Sequence, residues 1–232
     1  MSAFTRILTG GALLLTSLVS FAQPGEWHLE KDDAKKDIKV YTREVPGSEL
    51  KEFRGVTHIK APVSAFVALL KDPEQATSWM HNVKKFDSVQ NISDLEHVVY
   101  IINDTPWPVT NRDAYVRSTF SQNPETFAVT VALKGEADFG AKNKDLIRMP
   151  AMSGAWTFAP QKDGLVEVTY QVHANPGGSL PNWLVNAIVV DTPYNTLANL
   201  QKKVVDQKYL KASFAYIKEP GQKAQMADQQ AQ

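Results

Sequence analysis

The segment at residues 175–186, NPGGSLPNWLVN, constrains the fold most, because it joins a predicted strand to a long apolar helix through residues that restrict the backbone in opposite ways. Pro176 fixes one φ angle, whereas Gly177 and Gly178 can adopt conformations closed to residues with a Cβ atom. Pro181 suits the first turn of a helix. We therefore predict a hinge at Gly177 and Gly178, followed by a helix that can move against a sheet.

The residues before this segment alternate between apolar and polar types, which is typical of strands with one buried face. The clearest case is the run at residues 165–174, where Val166, Val168, Tyr170 and Val172 share one face. Turn residues separate the runs, so consecutive strands are expected to pair antiparallel. Strands are predicted at residues 38–43, 53–60, 83–91, 97–103, 113–121, 126–134, 146–149, 153–159 and 165–174.

Apolar residues at helical spacing predict a short helix after Pro62, a second piece that carries Trp79, and a long helix from Pro181 to about Tyr209. Pro193 lies inside the long helix and is expected to bend or open it. This order of elements predicts an α+β domain of the helix-grip type. In that fold a curved antiparallel sheet wraps around a long C-terminal helix and leaves an internal apolar cavity.

The first 22 residues have the pattern of an export signal. Arg6 supplies a short positive region, residues 7–19 form an apolar run, and residues 20–22 form a small-x-small cleavage site. The apolar run is too short and too interrupted for a stable membrane span. We therefore expect a mature protein that begins at Gln23 and is exported to the periplasm. An uncleaved membrane anchor is the alternative.

The chain has no cysteine, so its stability must come from a hydrophobic core rather than from disulfides. Its length fits one domain, which we place at residues 23–217, with a disordered tail at residues 218–232. Lys and Arg together number 25, as do Asp and Glu, and the lysine pairs form no basic stripe. We therefore expect no nucleic-acid partner, and we favour a monomer.

Four motifs occur in a fixed order along the chain: SWMHNV at residues 78–83, PWPVTNRD at residues 106–113, GAWTF at residues 154–158, and the segment at residues 175–186. In order and spacing they resemble the START family, the steroidogenic-acute-regulatory-protein-related lipid transfer domains. The resemblance implies a noncatalytic carrier, without cofactor, that binds a lipid, sterol or fatty-acyl ligand in an internal cavity, shuttles it, and makes transient contact with a membrane.

The chain departs from this family at one position. Lipid-transfer members often place an arginine on the inward side of a strand, six residues beyond the position of Arg112, where this chain has Ser118. Arg117 is one position short and therefore points to the opposite face, whereas Ala114 and Val116 are predicted to point inward with Ser118. The departure implies a pocket without that buried cation and favours a weakly polar ligand over a phosphate-headed one.

Apolar and aromatic side chains on the strands and on the long helix are the candidate lining of the cavity. The hydroxyls of Tyr170 and Tyr194 either hold a polar group of the ligand or belong to satisfied core tyrosines. Arg112 and Asp113 form a polar pair that either fixes a loop through backbone groups or contacts a ligand head group. The predicted ligand-binding residues are Trp79, Val99, Val116, Ser118, Val129, Val131, Trp156, Tyr170, Val172, Trp183, Ile188 and Tyr194.

The sequence carries no motif typical of catalysis or of metal binding. The five histidines lack the spacing of metal ligands, and neither a nucleophile elbow nor a phosphate-binding loop occurs. Two other functions stay open. One is a helix-grip enzyme, a cyclase or hydrolase acting on an aromatic or acyl substrate, with His173 or His81 beside a carboxylate. The other is an interaction domain whose apolar helix merely completes the core.

Overall fold

A computed structural model describes residues 25–48 and 50–221. The predicted export signal and the tail beyond residue 221 lie outside the described residues. The strands are β1 (His28–Asp33), β2 (Ile38–Arg43), β3 (Glu52–Lys60), β4 (Val83–Ser93), β5 (Glu96–Asn103), β6 (Arg112–Gln122), β7 (Val129–Gly135), β8 (Ile147–Arg148), β9 (Ala151–Pro160) and β10 (Leu165–Asn175). The helices are α1 (Val63–Leu70), α2 (Pro73–Trp79), α3 (Asn182–Lys203) and α4 (Gln207–Leu210).

All ten strands belong to one sheet that is not closed on itself. Its antiparallel order is β1-β2-β3-β10-β9-β7-β6-β5-β4, and the short strand β8 pairs in parallel with β6. The apolar faces of β2, β3, β6, β7, β9 and β10 share one core with α1, α2 and α3. The predicted helix-grip α+β architecture is therefore confirmed.

The alternation predicted along β6 is also confirmed. Ala114, Val116 and Ser118 are each at most 6% exposed and face the interior. Arg117 points the other way, where it contacts the carboxylates of Glu96 at 2.6 Å and Glu136 at 2.9 Å. No cation therefore enters the interior at the position of Ser118.

The strand β7 begins three residues later than the alternation predicts. The Oδ1 atom of Asn123 accepts hydrogen bonds from the backbone N–H groups of Glu125 and Thr126, each at 2.9 Å. Phe127 has a φ of 59°, in the left-handed region. These residues form a turn, because an Asn side chain that binds its own backbone competes with strand pairing.

The long helix ends earlier than predicted. Pro181 is the N-cap of α3, which continues through Pro193 and ends at Lys203. A turn then separates it from α4, so that the hydroxyl of Tyr209 reaches the carboxylate of Asp72 at 2.9 Å. This tertiary hydrogen bond explains why one continuous helix is replaced by two.

A glycine in β3 lets the second half of α3 approach the sheet closely. A Cβ atom at Gly55 would lie 2.7 Å from Cδ1 of Leu197, which is closer than Cβ atoms come to other atoms, and 3.2 Å from Cβ of Pro193, which is a tight contact. We call residues 193–203 the rear half of α3 and residues 182–192 the front half. The rear half is therefore seated directly on the sheet.

The beginning of the predicted disordered tail is held in place. The carboxylate of Glu219 accepts hydrogen bonds from the backbone N–H groups of Val63 at 3.0 Å and Ser64 at 2.8 Å. These donors open α1, whose N-cap is Pro62 and has no side-chain cap of its own. An anion is favourable there because the first N–H groups of a helix lack partners within the helix. Glu219, which the prediction assigned to the tail, thus contacts the start of α1, and the boundary at residue 218 stays a prediction.

Candidate ligand-binding cavities

Two cavities lie between the sheet and the helices. The inner cavity has a volume of about 50 Å³ and the outer cavity a volume of about 140 Å³. The inner cavity is lined by Leu69, Leu70, Ala76, Trp79, Met80, Phe86, His97, Val99, Ile101, Val116, Ser118, Phe120, Val131, Leu133, Met152, Trp156 and Tyr170. The outer cavity lies under the front half of α3 and is lined by Leu50, Lys51, Phe53, His81, Asn82, Asn103, Asp104, Thr105, Arg112, Met149, Met152, Tyr170, Val172, Ala174, Pro176, Leu180, Leu184, Val185, Ile188, Val189 and Thr192.

The inner cavity has an aromatic wall that the sheet register creates. Val131, Trp156 and Tyr170 stand side by side on β7, β9 and β10. The rings of Trp156 and Tyr170 stack with centroids 3.9 Å apart, and Trp79 meets Trp156 edge-on at 5.9 Å. These contacts form a rigid apolar surface, since aromatic pairs add to the stabilisation from burial alone.

Tyr170 and Met152 border both cavities. Burial raises the pKa of the Tyr170 hydroxyl, and this hydroxyl has no hydrogen-bond partner within the part of the chain that the structure describes. Met152 and Tyr170 therefore form a part of the wall that the two cavities share.

Most of the predicted lining residues do border a cavity. Those at the inner cavity are Trp79, Val99, Val116, Ser118, Val131, Trp156 and Tyr170. Those at the outer cavity are Tyr170, Val172 and Ile188, together with Arg112 of the polar pair. Strand periodicity found those that lie on strands because one face of each strand points to the interior, whereas Trp79 and Ile188 lie on α2 and α3.

Val129 lines neither cavity, contrary to prediction. It is fully buried, and its register neighbour Phe158 stacks on Phe66 of α1 with ring centroids 4.8 Å apart. These rings fill the space beside Val129. Alternation could place Val129 on the inner face, but it could not show that this end of the interior is filled.

Trp183 and Tyr194 were also predicted to line the cavity, but neither borders the inner or the outer cavity. Trp183 is 56% exposed in the first turn of α3, whereas the next residue, Leu184, faces the outer cavity. The hydroxyl of Tyr194 donates to Asp33 at 2.7 Å and accepts from Nζ of Lys36 at 2.9 Å. Tyr194 therefore connects α3 to the β1–β2 hairpin instead of offering a hydroxyl to a ligand.

The predicted polar pair is divided between the two faces of β6. Asp113 is fully buried and accepts hydrogen bonds from Nε and Nη2 of Arg148, at 3.1 and 2.9 Å. The hydroxyl of Tyr100 also donates to Asp113, at 2.9 Å. Burial and this hydrogen bond raise the pKa of Tyr100 to about 12. Asp113 is thus part of a structural network that lies outside both cavities.

Arg112 lies on the inward face and borders the outer cavity. It is 2% exposed, and burial lowers its pKa. Its Nη1 atom donates to the carbonyl of Thr110, and its Nη2 atom donates to the carbonyl of Gly177 at 3.5 Å. One arginine therefore contacts both the loop before β6 and the predicted hinge.

The predicted hinge has the backbone that only glycine adopts readily. Gly177 and Gly178 have φ angles of +67° and +62°. A Cβ atom at Gly177 would also lie 3.1 Å from Cγ2 of Ile147. Substitution of either glycine therefore strains the folded state directly, and a Gly177→Val, Gly178→Val variant would not report on hinge motion alone. Hinge motion itself stays a prediction.

Several lining residues were missed. Leu184 and Val189 share the face of α3 above the outer cavity with Ile188, which was predicted. Helical spacing from Ile188 could have found both of them. His97 borders the inner cavity opposite Ser118 in the β5–β6 register. Alternation could have found this histidine, because it lies two residues before the predicted Val99 and therefore on the same face of β5.

Within residues 25–48 and 50–221, no group of three or more His, Asp or Glu side chains is arranged to hold a metal ion. Among the same residues, no helix combines the length and apolar character that crossing a membrane requires.

Comparison with known proteins agrees with this architecture. The START domain family model matches residues 20–205. The crystal structure of a STAR-related lipid transfer protein from Xanthomonas axonopodis is 40% identical, with a TM-score of 0.71, over 78% of this chain and 99% of that chain. Uncharacterized protein PA1579 of Pseudomonas aeruginosa is 38% identical over 176 residues, which are 76% of this chain and 85% of the relative.

Human StAR-related lipid transfer protein 5 shares the fold at 17% identity, with a TM-score of 0.68, over 77% of this chain and 86% of that chain. The family match spans most of the chain and includes both cavities and α3. The chain therefore belongs to the START domain family, whose members generally bind lipids or other hydrophobic ligands.

Proposed function

We propose that this protein is a noncatalytic carrier that holds one lipid or other hydrophobic molecule in the joined inner and outer cavities. The observation that carries the proposal is a pair of adjoining, mainly apolar cavities under a helix that lies across one of them. Burial of apolar surface contributes about 25 cal/mol per Å² to the free energy of binding. Burial of a few hundred Å² of ligand surface thus contributes several kcal/mol of favourable binding free energy, before the costs of ordering the ligand are subtracted.

The cavity sizes indicate that ligand binding requires movement. Volumes of about 50 and 140 Å³ are smaller than the roughly 300–1,000 Å³ of typical ligand pockets. Met152 separates the two cavities, and methionine is unbranched and adapts its shape easily. A shift of Met152 would join the cavities into one elongated space suited to a single tail.

The front half of α3 is the element best placed to open the outer cavity. The rear half is fixed by Leu197 against Gly55 and by Gln201, whose Nε2 atom donates to the carbonyl of Lys36 and to Oγ1 of Thr57, each at 2.7 Å. The front half contributes Leu184 and its neighbours to the cavity wall. Motion of this half about Gly177 and Gly178 would admit a ligand without separating the rear half from the sheet.

Two exposed tryptophans support transient contact with a membrane. Trp107 is 92% exposed in the loop that contributes Asp104 and Thr105 to the outer cavity, and Trp183 is 56% exposed beside Leu184. Tryptophan favours the interface between lipid and water. Trp107→Ala with Trp183→Ala should reduce co-sedimentation with vesicles, whereas Leu29→Ala, at an exposed residue of the edge strand β1, should not. Equal sedimentation of all variants would contradict this contact.

The absence of catalysis is part of the proposal. His97 and Ser118 lie opposite each other at the inner cavity, yet no hydrogen bond joins them within the described residues. A serine nucleophile requires an adjacent base at hydrogen-bonding distance. Turnover of an added acyl or aromatic substrate, measured by mass spectrometry, would favour a helix-grip enzyme instead.

Two tryptophan substitutions test the use of the cavities. Val131→Trp should fill the inner cavity and Val172→Trp the outer one, so each should abolish uptake of a fluorescent fatty acid or sterol, although overpacking costs about 1–3 kcal/mol of stability. Val129→Ala is the matched control. It destabilises the core at a residue that lines neither cavity, and it should still bind.

The readouts are fluorescence titration for binding and thermal unfolding for the fold. If both tryptophan variants fold and bind as the wild type does, the cavities are not the binding site. Loss of binding in the Val129→Ala variant as well would mean that destabilisation, and not occupancy of the cavity, explains the result.

A further inference from the structure

Arg112 is a buried cation that has no ionic partner among residues 25–48 and 50–221. It is 2% exposed at the start of β6, and its neighbour Asp113 points to the other face, where it pairs with Arg148. Within the described residues, no carboxylate lies within ion-pairing distance of Arg112, and desolvation alone accounts for its lowered pKa. A buried charge without a counter-charge is unfavourable, so the site favours an anion supplied from outside the chain.

The hydrogen bonds of Arg112 leave one edge of its guanidinium largely unused. Nη1 donates to the carbonyl of Thr110, Nη2 has only a 3.5 Å contact with the carbonyl of Gly177, and buried Nε has no partner. Nε and Nη2 form one edge of this planar group, and such an edge matches the two oxygens of a carboxylate through parallel N–H···O bonds. An anion at this edge would satisfy both donors.

The outer cavity is polar near Arg112 and apolar away from it. Asn103, the register partner of Arg112, borders the cavity together with Asp104 and Thr105. In the other direction, Met152 and Tyr170 lead towards the inner cavity, whose wall is almost entirely apolar. This arrangement fits an amphiphile that has one polar end and one apolar tail.

The other charges at the outer cavity have partners of their own. The Nζ atom of Lys51 lies 3.7 Å from carboxylate oxygens of Glu30 and Glu44. Asp104 lies 3.9 Å from Nζ of Lys84, which partly offsets its repulsion of an anion. The buried guanidinium is therefore the cation at this cavity that lacks a carboxylate partner in the described part of the chain.

We propose that the ligand is a single-tailed amphiphile whose carboxylate head binds the Nε–Nη2 edge of Arg112, with its tail directed past Met152 and Tyr170 into the inner cavity. This inference rests on the proposed function. The absence of a cation at Ser118 does not leave the pocket neutral, because Arg112, six residues earlier on the same face, supplies one. A carboxylate matches this single cation better than a phosphate monoester, which carries about 1.5 to 2 negative charges.

The test compares three probes with the same fluorescent tail: a long-chain carboxylic acid, its methyl ester and the corresponding alkyl phosphate. The wild type should bind the acid about 10- to 100-fold more tightly than the ester, as expected for hydrogen bonds to a charged group. Arg112→Gln should bind acid and ester equally, and Arg112→Lys should recover part of the preference. Arg117→Gln, on the opposite face of the same strand, is the matched control and should keep the full preference.

The possible outcomes separate this inference from the proposed function. Equal binding of acid and ester by the wild type would overturn the head-group assignment and leave the carrier function standing. Failure of folded wild type to bind any of the three probes would overturn this inference, and failure to bind a fluorescent sterol as well would overturn the carrier function. Tighter binding of the phosphate than of the acid would overturn the choice of a carboxylate. If Arg112→Gln does not fold, the comparison of acid with ester on the wild type decides the question alone.

Discussion

At the scale of single residues, His97 links the stability of the fold to pH. It is 8% exposed at the inner cavity, and desolvation, followed by repulsion from Lys71, lowers its pKa below the ordinary value of 6.5. Neutral imidazole suits an apolar cavity, whereas imidazolium does not. Protonation of His97 should therefore oppose folding.

The sign of the pH dependence follows from this lowered pKa. The contribution of His97 to stability is fully present above the unfolded-state pKa of 6.5 and is lost as the pH falls towards the folded-state value. We expect the free energy of unfolding to decrease below about pH 6.5, by at most about 1.4 kcal/mol per pH unit for this one group. Denaturant titrations across this range measure the effect.

A single substitution tests the role of His97. His97→Gln should reduce the slope of stability against pH relative to the wild type. Part of the slope should remain, since desolvation also lowers the pKa of His81. An unchanged slope in the His97→Gln variant would show that this histidine does not titrate on unfolding in this range.

At the scale of elements, α3 combines a fixed half with a covering half. Leu184, in the front half, is 4% exposed and borders the outer cavity, while Leu197, in the rear half, is fully buried against β3. Both leucines are similarly buried, and Leu→Ala at such positions costs about 2–5 kcal/mol of stability. The two positions should nevertheless differ in their effect on ligand exchange.

If the front half is the gate, Leu184→Ala should speed both loading and release of a fluorescent ligand several-fold, with a smaller change in Kd. Leu197→Ala should destabilise the protein without a comparable acceleration. Stopped-flow fluorescence measures the rates, and thermal unfolding confirms that each variant is folded. Equal acceleration by both substitutions would point to general loosening, and wild-type rates in the Leu184→Ala variant would place the opening elsewhere, beside the loop at residues 104–111.

At the scale of the whole molecule, the proposed carrier function requires a compartment and a cargo. The sequence predicts removal of residues 1–22 on export, so the purified mature protein should begin at Gln23. Native mass spectrometry of protein isolated from its own cells should show the mass of the chain from Gln23 together with one bound hydrophobic molecule.

Two results would contradict this picture separately. A product that retains Met1 and sediments with membranes would contradict cleavage and export. A mature protein that is free of ligand, and whose thermal stability does not rise with added fatty acid or sterol, would contradict the carrier function, because a ligand that binds only the folded state must stabilise it.

Local periodicity and backbone sterics were sufficient to predict much of this fold. The inward phase of Val116 and Ser118 followed from alternation, because neighbouring side chains on a strand point to opposite faces. Gly177 and Gly178 were predicted to permit backbone conformations closed to residues with a Cβ atom, and both have positive φ angles. The order of the elements then indicated a sheet around a helix, and the resemblance of four motifs indicated the family.

Other features were decided only by contacts between segments that are distant in the sequence. Val129 and Val131 share an inward face, yet only Val131 borders a cavity, because aromatic rings from β9 and α1 fill the space beside Val129. Arg112 and Asp113 are adjacent in sequence, but Asp113 forms an ion pair with Arg148, whereas Arg112 lies beside the outer cavity. The sequence by itself therefore determined which faces are buried. The tertiary structure decided where the interior stays empty and which charge remains unpaired, because both depend on the packing of side chains from several elements at once.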